Sequence, residues 1–137
     1  MKTLFIKLTI LSLFLLIGCK DDIEKQTKIN PNQNLGEGEW LNSSDTLNGI
    51  SIRENKIAFF KNMEFKSDQI FEYVIIDSIH KIGESKKKIG EYLIVTKNQD
   101  STIFKIQERN PKYIVLLDSK QIPVVYNFWK RLNFNSN

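Results

Sequence analysis

From Glu37 onwards, the chain consists of short runs of isoleucine, valine, phenylalanine and tyrosine that are separated by clusters of turn-forming residues. β-Branched and aromatic residues favour strands, and turns at this spacing are typical of an all-β barrel or sandwich. Some runs alternate as half-buried strands do, since Ser51 separates Ile50 from Ile52. The pattern predicts strands near 38–42, 49–53, 56–60, 69–77, 79–83, 89–97, 101–107, 112–117 and 123–131.

The second half of the chain contains one clear turn and one segment that could be either a helix or a strand. Asn98-Gln99-Asp100 is a tight connection and predicts a hairpin between the strands on either side of it. Residues 124–132 could instead form a helix. We predict a strand there, because Pro123 opens the run and β-branched and aromatic residues dominate it.

Two of the predicted strands are apolar on both faces. The runs 70–76 and 113–117 show little alternation between apolar and polar residues. In a small closed barrel one face fills the interior, so a second apolar face is covered by a loop, a helix or a partner. The surplus therefore suggests a docking surface, although ordinary irregular packing would also produce it.

Residues 1–18 have the three parts of a secretory signal peptide. Lys2 and Lys7 give a positive start, residues 8–17 are almost purely apolar, and Gly18 is the small residue that a signal peptidase needs. The apolar run is shorter than the roughly 20 residues with which a helix crosses a bilayer. We expect this segment to be removed on export.

The apolar run ends in Leu16-Ile17-Gly18-Cys19, which holds the one cysteine of the chain. These four residues resemble the lipobox of bacterial lipoproteins at every position. The resemblance implies cleavage between Gly18 and Cys19, and acyl chains such as palmitate attached at Cys19. Each buried methylene contributes about 0.8 kcal/mol, so more than one chain makes a stable anchor. The alternative is an ordinary signal peptide, or a short membrane helix, with a chance cysteine.

The next residues, Lys20, Asp21 and Asp22, resemble the surface-export signal of Bacteroidota lipoproteins. This resemblance implies an outer-membrane lipoprotein that is displayed on the cell surface. The alternatives are a periplasm-facing position, or a polar tether that happens to begin with charged residues.

Length and charge indicate a single small domain on a tether. Residues 19–36 are polar and predict a flexible, disordered segment, which leaves 37–137 as the globular domain. Without residues 1–18 the chain has 18 basic and 16 acidic residues, a net charge of +2, and this excludes a broad nucleic-acid surface. We expect the run 86–88, three lysines, to be a solvated hairpin tip, with a membrane-surface or polyanion contact as the alternative.

A second resemblance covers residues 37–132. Gly38-Glu39-Trp40 opens the domain, and 128–131 (FWKR) closes it with aromatic and basic residues. This is similar to the small lipocalin-like domains of bacterial lipoproteins, and it implies an antiparallel barrel of about eight strands. It also implies that Trp40 plugs one end of the barrel near Lys130 or Arg131, in a cation–π arrangement.

The chain offers few groups for catalysis or metal binding. Asp77 and His80 could be imagined in a hydrolase triad, but we expect them in an exposed connection between two strands. One histidine and no free cysteine do not make a zinc site, and no calcium-loop pattern occurs. We therefore predict no catalytic residues, no metal ligands, no enzymatic activity and no cofactor besides the lipid on Cys19.

These observations lead to a hypothesis of a membrane-anchored, non-enzymatic binding module with a protein partner. The alternative is a carrier or sensor of a small apolar ligand that is held in the mouth of the barrel. The aromatic residues recur through the domain, and most of them are expected in the core. The candidate rim of such a binding site consists of Phe59, Phe60, Met63 and Phe65.

Overall fold

The computed structural model describes residues 24–29 and 33–130, and every regular element within them is a β-strand. The predicted all-β fold is therefore confirmed. The nine strands are β1 (Glu24–Ile29), β2 (Gly38–Asn42), β3 (Gly49–Arg53), β4 (Lys56–Lys61), β5 (Glu64–Ile82), β6 (Ser85–Lys97), β7 (Asp100–Arg109), β8 (Tyr113–Leu117) and β9 (Pro123–Lys130).

Eight of these strands form a closed antiparallel barrel. The strands follow the order β5-β4-β3-β2-β9-β8-β7-β6, and pairing of β5 with β6 closes the ring. The expected barrel of about eight strands is confirmed. The segment 123–130 is a strand rather than a helix, as predicted, and it pairs with both β8 and β2.

Two-residue turns connect the strands from β3 to β7. Residues 54–55, 62–63, 83–84 and 98–99 each join a pair of neighbouring antiparallel strands. Asn62 and Met63 both have positive φ, as the hairpin turn that matches strand twist requires. The predicted hairpin at Asn98 is confirmed, and Asn98 itself has a φ of 56°.

The structure differs from the sequence-based expectation in two places. The two predicted strands 69–77 and 79–83 are parts of one 19-residue strand, β5, which ends at Ile82, because Asp77 and Ser78 pair with Glu91 and Gly90 instead of forming a turn. Residues 24–29, which we expected in the flexible tether, form β1 and pair with β5. The composition of β1 is polar, so this strand depends on the backbone hydrogen bonds that β5 offers it.

The long strands β5 and β6 continue past the barrel as a projecting structure that we call the arm. The arm consists of β1, residues 76–82 of β5 and residues 85–90 of β6. Within the described residues, β4 pairs with β5 only as far as Glu72, and β7 pairs with β6 only from Glu91. The arm is therefore a three-stranded sheet with β5 in the middle.

Large apolar side chains fill the barrel. Trp40 packs edge-on against Phe128 at the end from which the arm projects, with ring centroids 5.1 Å apart. Phe59 packs against Phe71 and Phe104 towards the opposite end. The buried core comprises Leu35, Trp40, Ile50, Ile52, Ile57, Tyr73, Ile75, Leu93, Val95, Ile106, Ile114 and Leu116.

Candidate functional site: a cleft at the arm end of the barrel

A cleft of about 750 Å³ lies at the end of the barrel that carries the arm. It is bounded by the first residues of β2 and β8 and by the last residues of β3, β7 and β9. The cleft opens to solvent, and its lining is Leu35, Gly36, Glu37, Trp40, Arg53, Glu91, Arg109, Asn110, Pro111, Ile114 and Phe128.

The chain that precedes β2 crosses this end of the barrel and forms one wall of the cleft. Leu35 is 2% exposed, and its backbone N–H donates to the hydroxyl of Tyr73 at 3.3 Å. That hydroxyl in turn donates to the backbone carbonyl of Glu54 at 2.9 Å. The carboxylate of Glu37 accepts a hydrogen bond from the N–H of Glu54 at 3.0 Å. These bonds fasten the crossing segment to the turn between β3 and β4.

Trp40 forms the apolar base of the cleft, and the glycine two residues before it makes its position possible. The indole N–H of Trp40 donates to the carbonyl of Gly36 at 2.9 Å. Gly38 has a φ of +139°, and a Cβ there would lie 2.7 Å from the carbonyl oxygen of Lys130 and 2.7 Å from the Phe128 ring. Only glycine fits this close approach of β2 to β9.

A chain of ion pairs connects the cleft with the arm. Arg109 Nε lies 2.8 Å from a Glu91 oxygen, and the other oxygen of Glu91 is 3.1 Å from Lys88 Nζ. Lys88 also pairs with Asp77 at 2.8 Å. Burial lowers the pKa of Lys88, but the two carboxylates outweigh this effect and raise it, so Lys88 stays charged. Arg109 donates further to the backbone carbonyl of Asn34 at 3.1 Å, which joins the crossing segment to β7.

The cleft thus combines an apolar base with charged walls. Trp40, Phe128 and Ile114 supply flat apolar surface, while Arg53 and Arg109 bring guanidinium groups and Glu37 a carboxylate to the sides. Aromatic and arginine side chains are the groups that contribute most to binding in protein interfaces. Such a site suits a group that is apolar at one end and polar at the other.

The four residues of the predicted rim lie at the opposite end of the barrel and do not form one rim. Phe59 points into the barrel, whereas Phe60 is 2% exposed and packs on Phe65 with ring centroids 4.9 Å apart. Phe65 is half exposed, and Met63 lies in the turn between β4 and β5. A smaller cavity of about 210 Å³ involves Phe59 but none of the other three.

The surplus of apolar residues in 70–76 does reach the outer surface. Val74 pairs in register with Ile94, and Ile94 pairs with Ile103, so these three residues lie side by side on the outside of β5, β6 and β7. Val74 and Ile103 are exposed. The buried residues Tyr73 and Ile75 alternate with Val74 and face the interior.

The expected environments of Trp40 and His80 are both different in the structure. Lys130 Nζ lies 4.1 Å from the ring centroid of Trp129 and 3.3 Å from a Glu39 oxygen, so its ring partner is not Trp40. Arg131 is outside the described residues. His80 is not in a connection but within β5, two residues before its end, where it pairs in register with Lys87.

Asp77 and His80 do not form a catalytic pair. They are three residues apart in a strand, so their side chains point to opposite faces of the sheet. Asp77 is instead held by Lys88. Among residues 24–29 and 33–130, no three histidine, cysteine, aspartate or glutamate side chains are grouped so that they could hold a metal ion.

The residues of the predicted targeting segment lie outside the part of the chain that the structure describes. They are Gly18, Cys19, Lys20, Asp21 and Asp22. Among the described residues, no helix has the length and hydropathy needed to cross a membrane.

Sequence reasoning missed the polar residues of the cleft. Glu91 and Arg109 are 18 residues apart, and each lies in an alternating strand where a charged residue usually marks the solvent face. Only the pairing of β6 with β7, and the bulge between Ile106 and Glu108, turn both side chains towards the barrel end. Among the residues that line the cleft, the sequence singled out Trp40 and Phe128, at the start and the end of the domain.

No protein-family model, no curated protein and no solved structure matches this chain. Fold and site define the protein as a closed eight-stranded antiparallel β-barrel with an extra strand and an open cleft at one end.

Replacing Tyr73 with phenylalanine should lower the free energy of unfolding by about 1–3 kcal/mol. The change removes a hydrogen bond to the carbonyl of Glu54 and leaves the buried N–H of Leu35 without its acceptor. Chemical denaturation measures the effect. Tyr113→Phe is the control, because the Tyr113 hydroxyl donates to Glu108 in a solvent-exposed position, so its loss should cost much less than the loss of the Tyr73 hydroxyl.

The buried hydroxyl of Tyr73 also makes the stability of the folded protein decrease at alkaline pH. Burial is the largest cause that raises the pKa of Tyr73, so the unfolded chain loses this proton at lower pH than the folded protein does. The contribution of the Tyr73 hydroxyl to the free energy of unfolding is therefore complete below about pH 10, and it decreases as pH rises above that value. We expect a shallower fall in Tyr73→Phe than in the wild type. This account of Tyr73 would be contradicted if stability fell equally steeply with pH in the wild type and in Tyr73→Phe, and if Tyr73→Phe and Tyr113→Phe lost the same free energy of unfolding.

Proposed function

We propose that this protein is a lipid-anchored, non-enzymatic binding module that receives part of a protein partner in the cleft at the arm end of its barrel. The lipobox at residues 16–19 and the adjoining Lys20-Asp21-Asp22 support an anchor at Cys19 on the outer membrane, facing the cell surface. The similarity of the Gly38-Glu39-Trp40 start to lipocalin-like lipoprotein domains supports the same conclusion.

The observation that carries the binding role is the position of the free space. Large side chains occupy the barrel axis, whereas the cleft of about 750 Å³ is open at one end and lined by Trp40, Phe128 and Arg109. An open cleft with aromatic and arginine side chains fits an inserted side chain or chain segment of a partner. The exposed Val74 and Ile103 offer additional apolar surface on the barrel wall.

A small amphiphilic ligand is the second candidate, and the volume of the cleft favours it. Sites for small molecules usually measure about 300–1,000 Å³ and are mostly apolar with a few polar groups. The cleft falls within this range. In this case the charged walls would hold the polar end of the ligand against Arg109, over the apolar base.

Native mass spectrometry of the protein, extracted gently from its own membranes, distinguishes these candidates. A bound protein appears as an added mass of a whole chain, and a small ligand as an added mass beyond the lipid. Pro111→Trp should abolish either, because residue 111 lines the cleft and the indole would fill part of it. Lys120→Trp is the control, since residue 120 lies in the turn between β8 and β9 at the other end. Wild-type protein without any added mass would refute the binding role.

The anchor has its own test. Replacing Cys19 with alanine removes the thiol to which the lipid would be attached, so the protein should move from the membrane fraction to the soluble fraction. Fractionation and immunoblotting measure the change. Cys19→Ala protein that remains in the membrane fraction would refute lipidation as the means of anchoring.

A further inference from the structure

Positive charge is concentrated in the arm. The arm, together with the turn at residues 83–84, contains six lysines and three acidic residues, while the mature chain as a whole has an excess of only two positive charges. One of the three acidic residues, Asp77, is already paired with Lys88. Lys86 and Lys87 are exposed, next to the turn at residues 83–84 that forms the tip of the arm.

The direction of β1 places the start of the described chain at this same tip. β1 is antiparallel to β5, and Glu24 pairs with Lys81, which in turn pairs with Lys86. The five peptide steps from Cys19 to Glu24 span at most roughly 16–18 Å, at about 3.3–3.6 Å per residue. With the tether reduced to this length, a lipid on Cys19 holds the tip of the arm beside the bilayer.

We propose that the tip of the arm lies on the membrane surface, where Lys86 and Lys87 bind the anionic phosphate groups of the lipid headgroups. This inference rests on the lipidation of Cys19 in the proposed function. Each lysine near an anionic surface strengthens such a contact roughly fivefold, and the effect fades within about 8–10 Å at physiological salt. The cleft opens at the same end of the barrel as the arm, so the contact also turns the cleft towards the membrane.

Protection of the unpaired edge of β6 is a simpler explanation for these lysines, and it can be distinguished from membrane binding by experiment. In the described residues, 85–90 of β6 pair with β5 on one side and have no strand on the other. Charged side chains on such an edge prevent further strands from adding to it. Edge protection needs charge of either sign, whereas binding to phosphate needs positive charge. Lys86→Glu with Lys87→Glu therefore preserves the first role and abolishes the second.

The experiment uses the full lipidated protein, reconstituted into vesicles of phosphatidylcholine with or without about 30 mol % phosphatidylglycerol, an anionic lipid. Glu84→Cys places a thiol for a fluorophore in the turn at the tip and leaves every lysine in place. Gln99→Cys does the same in the turn between β6 and β7, which lies at the opposite end of the barrel. Nitroxide-labelled headgroups then quench whichever fluorophore lies near the membrane surface.

We expect strong quenching at residue 84 and weak quenching at residue 99 in vesicles with phosphatidylglycerol. Quenching at residue 84 should fall several-fold in phosphatidylcholine alone, in about 0.5 M salt, and in the Lys86→Glu, Lys87→Glu variant. Equal quenching at residue 84 under all of these conditions would overturn the proposal.

Flotation of the same samples tests the lipid anchor at Cys19 separately from the contact between the arm and the membrane. Protein that floats with the vesicles through its lipid, but shows no charge-dependent quenching at residue 84, refutes the arm contact and leaves the anchor intact. Wild-type protein that does not float refutes the lipid anchor itself. Circular dichroism of the charge-reversal variant confirms that its strands are retained.

Discussion

Replacing Trp40 with alanine is expected to lower the free energy of unfolding by about 3–5 kcal/mol, the range for deletion of a large aromatic side chain from a core. Trp40 is 1% exposed, packs edge-on against Phe128, and donates its indole N–H to Gly36. The change therefore removes apolar contacts and leaves a void where β2 meets β9. Urea denaturation followed by circular dichroism measures the loss.

Trp129→Ala is the matched control for this prediction. Trp129 is 44% exposed on the outside of β9, and the ammonium group of Lys130 lies 4.1 Å from the centroid of its ring. An exposed cation–π contact is worth about 0.5–1 kcal/mol, so the control should lose no more than about that amount. Similar losses in the two variants would show that Trp40 is not the core residue described above.

Replacing Gly49 with alanine should be the second most damaging change, with a loss of about 3 kcal/mol or more. A Cβ at this position would lie 2.2 Å from the carbonyl oxygen of Trp40 and 2.5 Å from the Phe60 ring. The carbonyl belongs to the backbone of β2, so it can move only if the pairing of β2 with β3 is distorted. Over-packing of a core typically costs about 1–3 kcal/mol, and a clash with the backbone lies at or above the upper end.

Gly90→Ala shows what the same chemical change does without such a clash. A Cβ at residue 90 would come no closer than 3.3 Å to the Tyr92 ring, which can rotate away. We expect a change of less than about 1 kcal/mol in either direction, since alanine also restricts the unfolded chain. Thermal unfolding of both variants is the measurement, and a Gly49→Ala protein as stable as Gly90→Ala would contradict the packing around residue 49.

Most of the barrel could be predicted from the sequence because its signals are local. Asn98 marks a turn, and alternating residues such as Ile50 and Ile52 identify strands whose one face is buried. Even the surplus apolar face at Val74 is visible in the sequence and is exposed in the structure. The exception is Asp77-Ser78, whose polar residues resemble a turn but are held within β5 by pairing with β6.

The candidate site could not be predicted, because it depends on contacts between distant parts of the chain. Arg109 is drawn to Glu91 by the register of β6 and β7, and to Asn34 by the crossing segment. The strand β1 has no apolar pattern of its own and forms where β5 extends beyond β4. The aromatic residues Phe60 and Phe65 stand out in the sequence, yet they pack on each other at the other end of the barrel.

The pairing of β2 with β9 has a consequence for how the barrel folds. Every other pair of neighbouring strands within the barrel is consecutive in the chain, so those hairpins can form locally within microseconds. The pairing of β2 with β9 joins the two ends of the domain and must wait until the intervening strands are in place. Trp40, Phe128 and the ion pair of Glu39 with Lys130 all lie along this seam. The slow step of folding is therefore the closing of the seam, and the same seam completes the cleft.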